Sequence, residues 1–395
     1  MKGENHMNRD PVIVSSVRTP IGRQGGAFAG IQAHELGAIA LKEAVARINL
    51  DVESIDDVIF GNVIGGGGNI ARLTALQAGL PLSVPGLTID RQCGSGLNAI
   101  NLAAQAIRSG DGDVYVVGGA ESMSQAPYLM EKPSKPYSTM PPRFMKSRLS
   151  PDEIGDPPMG ITAENLAEKY HITREEQDAF AHRSQERMGK AMAEGYFDSQ
   201  IAPVHVPVRK GDPIKVTKDE HPRPETTIER LASLPPVFKK GGSVTAGSSS
   251  GLNDAASALI VMSREKAESL GLKSLAVVRG YAVSGVDPNI MGIGPVPATQ
   301  KLMKQSGLSL EEMDLIEINE AFAAQVLACD RELKMNENVV NVNGGAIAHG
   351  HPLGATGAIL ATKAIYELDR REGRYALITA CIGGGQGIAT VLERE

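Results

Sequence analysis

The feature that most limits the fold of this chain is a repeated alternation of short apolar runs with segments of helical period. In the first third, the runs PVIVSSV, DDVIFGNVI and DVYVVGGA alternate with ELGAIALKEAVARI, ARLTALQAG and LNAINLAAQAIRSG. The last third repeats the pattern, with LAVVRGYAVSG, DLIEINE, VVNVNGG and YALITACIGGG separated by helical segments. Strands that alternate with helices predict an α/β fold with a mainly parallel sheet. The repetition suggests two similar halves.

The region of about 123–248, between the halves, differs in character. Its first part, YLMEKPSKPYSTMPPRFMKSRLSPDE, is rich in proline and methionine and has no clear period, which is typical of an irregular excursion. A helix should follow, because Thr173 and Glu176 have the spacing of a capping box and Gly195 is placed to end it. We expect this region to be an insert over the carboxyl-terminal edge of the sheet, where ligands of α/β folds usually bind.

Composition limits the partners and the location of the protein. The 395 residues are 42% hydrophobic and 22% charged, as in an ordinary soluble protein of more than one domain. A formal net charge of −6 without a basic run argues against nucleic acid as the main partner. No apolar stretch approaches the roughly 18 residues that cross a membrane. The polar start MKGENHMNRD is unlike a secretory signal. We therefore expect a cytoplasmic protein.

The cysteines Cys93, Cys329 and Cys381 are few, odd in number and widely spaced, so neither a disulfide nor a metal site is expected. Cys93 stands in TIDRQCGSGLNAI, between an apolar run and a helical one. At a helix N-terminus, free N–H groups and the helix dipole would lower the thiol pKa from about 8.5 and favour a nucleophile. A buried core thiol is the alternative.

Two further segments combine a reactive side chain with glycine. His351 lies between Gly350 and Pro352 in NGGAIAHGHPLGATG, where its ring would act as a base near neutral pH. A surface loop histidine is the alternative, and His349 is a second candidate. Cys381 precedes IGGGQG after a strand, a place where N–H groups often form an anion-binding nest. Neither this segment nor GNVIGGGGN matches a phosphate or dinucleotide loop.

Asn319 and Glu320, in EINEAFAAQ, close a strand and open a helix. Taken alone, the pair is a helix cap, with asparagine at the N-cap and glutamate in the first turn. Nothing in this segment alone requires a chemical role.

Together, seven segments resemble the thiolase family in order and spacing, and the resemblance runs from about Pro11 to the C-terminus: QCGSGLNAI, GGAESMS, GSVTAGSSSGLNDAA, MGIGPVPAT, NEAFAAQ, GGAIAHGHPLGATG and CIGGGQG. Several long motifs in one order are far more specific than any single one. The resemblance implies the thiolase fold, with two similar βαβαβ-type halves in a five-layered αβαβα arrangement and an inserted loop domain. It implies an N-terminal domain over 10–270, which carries the insert, and a C-terminal domain over 271–395.

The resemblance also implies an acyltransferase, which joins two acetyl-CoA to acetoacetyl-CoA and CoA or cleaves short 3-ketoacyl-CoA. Cys93 would carry the acyl group, with His351 as its activating base and Cys381 as the second acid/base. One oxyanion hole would combine His351 with a water held by Asn319. The other would use the N–H groups of Cys93 and Gly383.

For substrate binding, the resemblance implies contacts with coenzyme A at Met159, Arg223, Ala246 and Ser250, and a thioester pocket lined by Phe238 and Phe322. It implies acyl-CoA and CoA as partners, no separate cofactor and no metal, and a homodimer or homotetramer. Departures from the family pattern, such as Pro158 in a place where histidine is common, weaken any transfer of substrate specificity. The alternatives are a degradative thiolase for longer chains and a non-catalytic protein that binds CoA thioesters.

Overall fold

The computed structural model describes residues 9–65, 68–133, 135, 137 and 140–395. Within them the strands are β1 (Pro11–Arg18), β2 (Gly22–Arg23), β3 (Asp57–Gly61), β4 (Leu87–Ile89), β5 (Val114–Ser122), β6 (Val204–Val206), β7 (Ile214–Val216), β8 (Asn253–Ser263), β9 (Ala276–Gly285), β10 (Leu315–Ile318), β11 (Tyr375–Ile382) and β12 (Gln386–Glu393). The helices are α1 (Ala33–Arg47), α2 (Ile70–Gln77), α3 (Ser95–Ser109), α4 (Met159–Lys169), α5 (Arg174–Ala193), α6 (Ile228–Ala232), α7 (Arg264–Ser269), α8 (Pro295–Ser306), α9 (Ala323–Leu333), α10 (Ala346–His349) and α11 (Leu353–Arg371).

The main sheet consists of two half-sheets of the same design. In the N-terminal half, the parallel strands β4, β3 and β5 are followed by β8 and β1, each antiparallel to its neighbour. In the C-terminal half, the parallel strands β10 and β11 are followed by antiparallel β12 and β9. The halves join where Val12 and Ile13 of β1 pair with Val277 and Ala276 of β9. The duplication suggested by the sequence is therefore present.

One predicted strand, VVNVNGG, is wrong. Only Val340 forms a bridge to Ile316 of β10, at the place that β4 holds beside β3 in the other half. The next residue, Asn341, has a left-handed backbone with φ of 42°, which ends the extended run. Its side-chain amide bonds instead to both the N–H and the carbonyl of Ile318, each at 2.9 Å. A side chain thus replaces the pairing that a longer strand would supply.

Alternation along the strands produces five layers. Successive strand residues point to opposite faces, so Val12 packs with α1 and α2 whereas Ile13 packs with α3 and α11. In the C-terminal half, Ile378 packs with α3 and α11, and Leu377 packs with α8 and α9. The pair α3 and α11 therefore lies between the half-sheets. This is the predicted αβαβα arrangement.

The segment between β5 and β8 forms the insert. Its long helix α5 begins with the predicted capping box, in which Thr173 Oγ1 accepts the Glu176 N–H and the Glu176 carboxylate accepts the Thr173 N–H. Gly195, with φ of 71°, follows two residues after the helix ends. The proline-rich part before α4 is irregular where it is described, with a bridge between Met130 and Phe144. Among the described residues, no helix is long and apolar enough to span a membrane.

Candidate active site

The first turns of α3 and α11 bring two predicted site residues to one place. Cys93 lies two residues before α3, and His351 lies two residues before α11. A Cβ on Gly96 of α3 would lie 2.8 Å from the Gly354 carbonyl oxygen of α11. A Cβ on Gly357 would lie 2.4 Å from the backbone of α3, so only glycine allows this approach. The glycines of both motifs therefore serve helix packing, and that packing juxtaposes the two turns.

Cys93 is half-buried, and its sulfur faces two backbone donors. Burial raises the pKa of the thiol to about 11, although the N–H groups of Gly383 and of Cys93 itself donate to the sulfur and favour the thiolate. The negative charges of Glu121 and Asp90 raise this pKa further. The N–H donors lower the pKa as expected, but desolvation outweighs them, so the net shift is upward. A protonated thiol needs a base before it can attack.

His351 is held in its neutral form. Burial lowers the pKa of its ring to about 4. Its Nδ1 lies 2.7 Å from Thr356 Oγ1, and that hydroxyl donates to the Pro352 carbonyl at 3.0 Å. Because the hydroxyl hydrogen is used there, we assign the ring hydrogen to Nδ1. The buried Nε2 then carries a free lone pair and has no partner in the structure. The alternative of a surface loop histidine is wrong.

The second histidine candidate, like His351, has an Nε2 atom without a hydrogen-bond partner among the described residues. His349 is buried, and its Nδ1 lies 2.8 Å from the Gly350 carbonyl oxygen. Burial lowers its pKa well below the usual value, and the charges of Lys363 and Arg18 act in the same direction. Its neighbour Ala348 packs against α5 rather than toward Cys93.

Cys381 and Asn319 stand at the ends of adjacent parallel strands. Cys381, at the end of β11, is fully buried, and burial raises its pKa well above the usual value. A charge on Cys93 raises this pKa further. Asn319 follows β10. Both its amide oxygen and its amide nitrogen are buried and have no partner among the residues that the structure describes. Because α9 begins only at Ala323, Asn319 is not the helix cap that the segment alone indicated.

Four further predicted residues form the wall around the sulfurs. Gly383 occupies the tight turn between β11 and β12, where an added Cβ would lie 3.7 Å from Met159 Sδ. Met159 and Phe322 pack in one apolar cluster with Cys381. The Phe322 ring meets Phe238 edge to face, with centroids 5.9 Å apart. These apolar side chains keep water away from the thiols.

The other predicted coenzyme A residues lie farther out. Ser250 is half-buried, and its N–H donates to the Ala321 carbonyl next to Phe322. Ala246 and Arg223 are exposed. The Arg223 N–H donates to Gln185 Oε1 at 2.8 Å, which leaves the guanidinium at the surface. These three residues describe a rim around the buried site.

Sequence reasoning gave three residues that hold the site together no role in it, and Glu320 does not lie in the first turn of α9 as the segment alone indicated. Asn253 Oδ1 accepts the His351 N–H at 2.9 Å, and Glu320 accepts the N–H of Ile347 in the same glycine-rich segment. Glu121 accepts the Gly354 N–H at 2.8 Å. All three are fully buried or nearly so and stand inside the quoted motifs GLNDAA, NEAFAAQ and GGAESMS. A charged or amide residue in a run of small apolar residues was the available signal.

No cluster of three or more metal-binding side chains occurs in the part of the chain that the structure describes. The described groups at the predicted site positions are two thiols, an imidazole, an amide and backbone N–H groups. This set is suited to acyl transfer through a covalent thioester.

Two family models match the chain. Residues 11–265 match the thiolase N-terminal domain, and residues 272–394 match the thiolase C-terminal domain. The chain belongs to the thiolase family. The curated relatives of this thiolase include the acetyl-CoA acetyltransferase of Pseudomonas aeruginosa, 50% identical over 98% of this chain and all of the relative. The beta-ketoadipyl-CoA thiolase of Escherichia coli is 49% identical over 98% of this chain and all of the relative.

Solved structures agree with the family assignment. The acetyl-CoA acetyltransferase of Bacillus anthracis superposes with a TM-score of 0.93 at 44% identity, covering 99% of this chain and 100% of that one. Human mitochondrial 3-ketoacyl-CoA thiolase in complex with CoA gives a TM-score of 0.92 at 43% identity, covering 98% of this chain and 99% of that one. The thiolase fold of this protein is therefore established by sequence and by structure.

Proposed function

We propose that this thiolase is an acetyl-CoA C-acetyltransferase, which condenses two acetyl-CoA to acetoacetyl-CoA and CoA and also cleaves short 3-ketoacyl-CoA. One observation carries the proposal. The half-buried Cys93 thiol and the buried Cys381 thiol interact electrostatically, and His351 Nε2 and the Asn319 amide have no partner among the described residues. Buried polar atoms without partners are rare and usually await a ligand or a water. Relatives named acetyl-CoA acetyltransferase at 47–50% identity support this substrate.

In the first step, the Cys93 sulfur attacks the thioester carbonyl of acetyl-CoA. His351 Nε2 takes the thiol proton as the C–S bond forms, and the proton passes to the sulfur of departing CoA as the C–S bond to CoA breaks. The N–H groups of Gly383 and Cys93, which donate to the Cys93 sulfur, would stabilise the negative carbonyl oxygen. The product is an acetyl thioester on Cys93.

In the second step, Cys381 removes a proton from the methyl carbon of a second acetyl-CoA. The resulting carbanion attacks the acyl carbonyl on Cys93, and the new C–C bond forms as the bond between that carbon and the Cys93 sulfur breaks. The departing Cys93 thiolate takes the proton that Cys381 removed, which returns Cys381 to its thiolate form. His351 and a water on Asn319 would stabilise the enolate oxygen. A burial-raised pKa makes Cys381 a strong base when ionised, as this proton requires. Thiolysis is the reverse.

The partners follow from the same proposal. Acyl-CoA and CoA would enter across the rim of Arg223, Ala246 and Ser250 toward Met159, Phe238 and Phe322. The substrate brings the thioester, so the proposal requires no cofactor or metal. We further propose a cytoplasmic homodimer or homotetramer; the sequence supports these two points only through its composition and its family.

The test is labelling with radioactive acetyl-CoA. Wild-type protein should carry the label on Cys93, and Cys93→Ser should carry none. Cys381→Ala should keep the label but lose condensation. Cys329→Ala is the matched control, since Cys329 is a core thiol that bonds to the Gly292 carbonyl at 3.2 Å, and it should keep both reactions. Label on another residue, or none on wild type, contradicts the proposal.

A cavity of about 850 Å³ favours, as a second candidate, thiolysis of longer 3-ketoacyl-CoA. It adjoins the site at Gln92, Met159 and Leu353. Its outer wall comes from the insert and is mostly apolar: Pro127, Tyr128, Leu129, Phe144, Met145 and Leu149. The volume falls within the roughly 300–1,000 Å³ of small-molecule pockets and far exceeds the volume of an acetyl group. An acyl chain is the occupant that this lining fits.

A bulky residue in this cavity should separate the two candidates. Leu129→Trp fills part of the cavity, so kcat/KM for a ten-carbon 3-ketoacyl-CoA should fall at least tenfold while acetoacetyl-CoA cleavage stays within about twofold. Leu82→Trp is the matched control, because Leu82 is 81% exposed and does not line the cavity. If wild type cleaves only the four-carbon substrate, the cavity has no role in chain length and the second candidate is wrong.

A further inference from the structure

We propose that ionised Glu121 is a positioning residue, which fixes the first turn of α11, and with it His351, against the loop after β3. The inference rests on the proposed function, because it assigns His351 as the base for Cys93. Glu121 itself touches neither the predicted nucleophile nor a substrate group. It acts through the backbone that carries them.

The carboxylate of Glu121 joins three segments. Glu121 lies near the end of β5 and is fully buried. Oε2 accepts the N–H of Gly354 at 2.8 Å and of Val63 at 3.0 Å. Oε1 accepts the N–H of Ile64 at 3.1 Å and the Asn62 side-chain amide at 2.9 Å. Both oxygens therefore bridge chain segments that are otherwise distant in sequence.

The segments joined by Glu121 all border the site. Gly354 is the second residue of α11, three residues after His351. Asn62 donates its backbone N–H to Ile89, the last residue of the strand that precedes Cys93. The loop of 62–64 also lines the cavity beside Gln92. Displacement of the Glu121 carboxylate would therefore move His351 relative to Cys93.

All four partners of Glu121 are hydrogen-bond donors, so they suit a carboxylate and not a carboxylic acid. A protonated oxygen has a hydrogen of its own, and at Glu121 it would face N–H groups that cannot accept it. The protonated form must give up part of the bridge. Among the described residues, Glu121 has no ion pair with a lysine or arginine.

Burial and nearby charges bring the protonation of Glu121 close to neutral pH. Burial raises the pKa of Glu121 to about 7, despite the N–H donors that lower it, and the charge of Asp90 raises it further. Cys93 is the other titratable group that interacts with Glu121, and His351 stands on the α11 side. The pKa values of His351 near 4 and Cys93 near 11 lie far from 7, so the titration of Glu121 is separable.

The effect on stability has the opposite sign to the effect on activity. The folded-state pKa of Glu121 lies above its unfolded value, so the folded protein binds more protons between pH 4.5 and about 7. The contribution of Glu121 to folding stability therefore decreases as pH rises through that window. The ionised form is the less stable one and, in this proposal, the active one.

The test is the pH dependence of kcat and KM for thiolysis between pH 5 and 9. In wild type, kcat should fall below pH 7 with an apparent pKa near 7, while KM changes little. In Glu121→Gln, one amide N–H must face backbone donors, so kcat should fall at least tenfold at pH 8. The fall of kcat with an apparent pKa near 7 should also disappear from the pH profile, and the melting temperature at pH 8 should not drop.

Glu367→Gln is the matched control. Glu367 is also buried and accepts several donors, among them Asn343 and Arg370, but it lies in the last turns of α11, far from Gly354. Its variant should melt earlier and keep the wild-type pH profile. A wild type whose kcat does not fall with an apparent pKa near 7, or a Glu121→Gln protein that retains that fall, overturns the proposal.

Amide exchange gives a readout that needs no activity. The peptide that covers 352–358 should exchange faster in Glu121→Gln than in wild type, and equally in Glu367→Gln and wild type. Equal exchange in all three proteins contradicts the positioning role. If wild type shows no thiolysis while this peptide responds as expected, the proposed function fails and the positioning role stands. If Glu121→Gln does not fold, the wild-type kcat profile alone decides.

Discussion

At the residue scale, the protonation states of Cys93 and His351 determine how the nucleophile is formed. With a thiol pKa near 11 and an imidazole pKa near 4, the pair is neutral at pH 7. In the proposed mechanism, the Cys93 thiolate is therefore formed only during attack on the substrate, when His351 takes the thiol proton. A thiol next to a helix start need not be ionised at rest, because the loss of water around the sulfur outweighs nearby N–H donors.

Alkylation of Cys93 by iodoacetamide in the absence of substrate should reveal this state. Since only the thiolate reacts, the rate constant should rise about tenfold for each pH unit from 7 to 10. The yield of the alkylated Cys93 peptide, followed by mass spectrometry, gives the rate. The same peptide in urea is the control, and its rate should level off near pH 9. A plateau between pH 7 and 8 in the folded protein would mean that a thiolate is already present.

The sequence predicted these side chains better than their surroundings. Cys93, His351, Cys381 and Asn319 stood out because each ends a regular run beside glycine or a helix start. Whether each was reactive or structural was open until the motifs were taken together. Asn253 and Glu121 were not predicted, because their partners are backbone N–H groups of segments about 98 and 233 residues away in the sequence. Such contacts leave no local pattern.

At the element scale, the first turn of α11 orients the His351 ring. The Thr356 hydroxyl lies in its first turn, where it donates to the Pro352 carbonyl and receives the Nδ1 hydrogen of His351. Thr356→Val keeps the shape of the side chain but leaves Nδ1–H buried without an acceptor. An unsatisfied buried donor costs about 1–3 kcal/mol, which corresponds to roughly a ten- to hundredfold loss of rate.

Steady-state thiolysis kinetics would check this prediction. In Thr356→Val, kcat should fall by that factor and KM should stay near the wild-type value, because the hydroxyl contacts the base and not the substrate. Thr356→Ser retains the hydroxyl and should restore most of kcat. A normal kcat in Thr356→Val would show that His351 does not depend on this hydrogen bond.

Helices and strands with a strong hydrophobic period were predicted from the sequence, whereas segments without such a period were not. The segment 253–263 forms β8 at the centre of the sheet, although NDAAS has low β propensity, because every residue in it is buried between layers. VVNVNGG is the opposite case: its three valines predict a strand, but no strand forms because Asn341 turns the backbone. Both outcomes depend on tertiary packing that propensity does not contain.

At the scale of the whole molecule, the insert must stay fixed to the half-sheets that carry the thiols. A buried ion pair contributes to this. Arg18, at the end of β1, donates to both carboxylate oxygens of Asp219 in the insert, at 2.7 and 3.0 Å. It also donates to Gln200 and lies over the Phe197 ring. Both charged side chains are 1% exposed, so each is compensated only by the other and its neighbours.

Removal of the cation should loosen the insert. Arg18→Met leaves Asp219 charged, buried and unpaired, and should lower the free energy of unfolding by about 3–5 kcal/mol. The neighbouring pair of Arg23 and Glu220 is the matched control: the Arg23 side chain is 49% exposed and that of Glu220 is 24% exposed, so Arg23→Met should cost less than about 1 kcal/mol. Urea unfolding at one protein concentration measures the free energy of unfolding of both variants.

Because Arg18 joins β1 to the insert, limited proteolysis of Arg18→Met should cut within 123–248 first. Equal losses in the two variants, or first cuts elsewhere, would mean that the ion pair does not hold the insert in place.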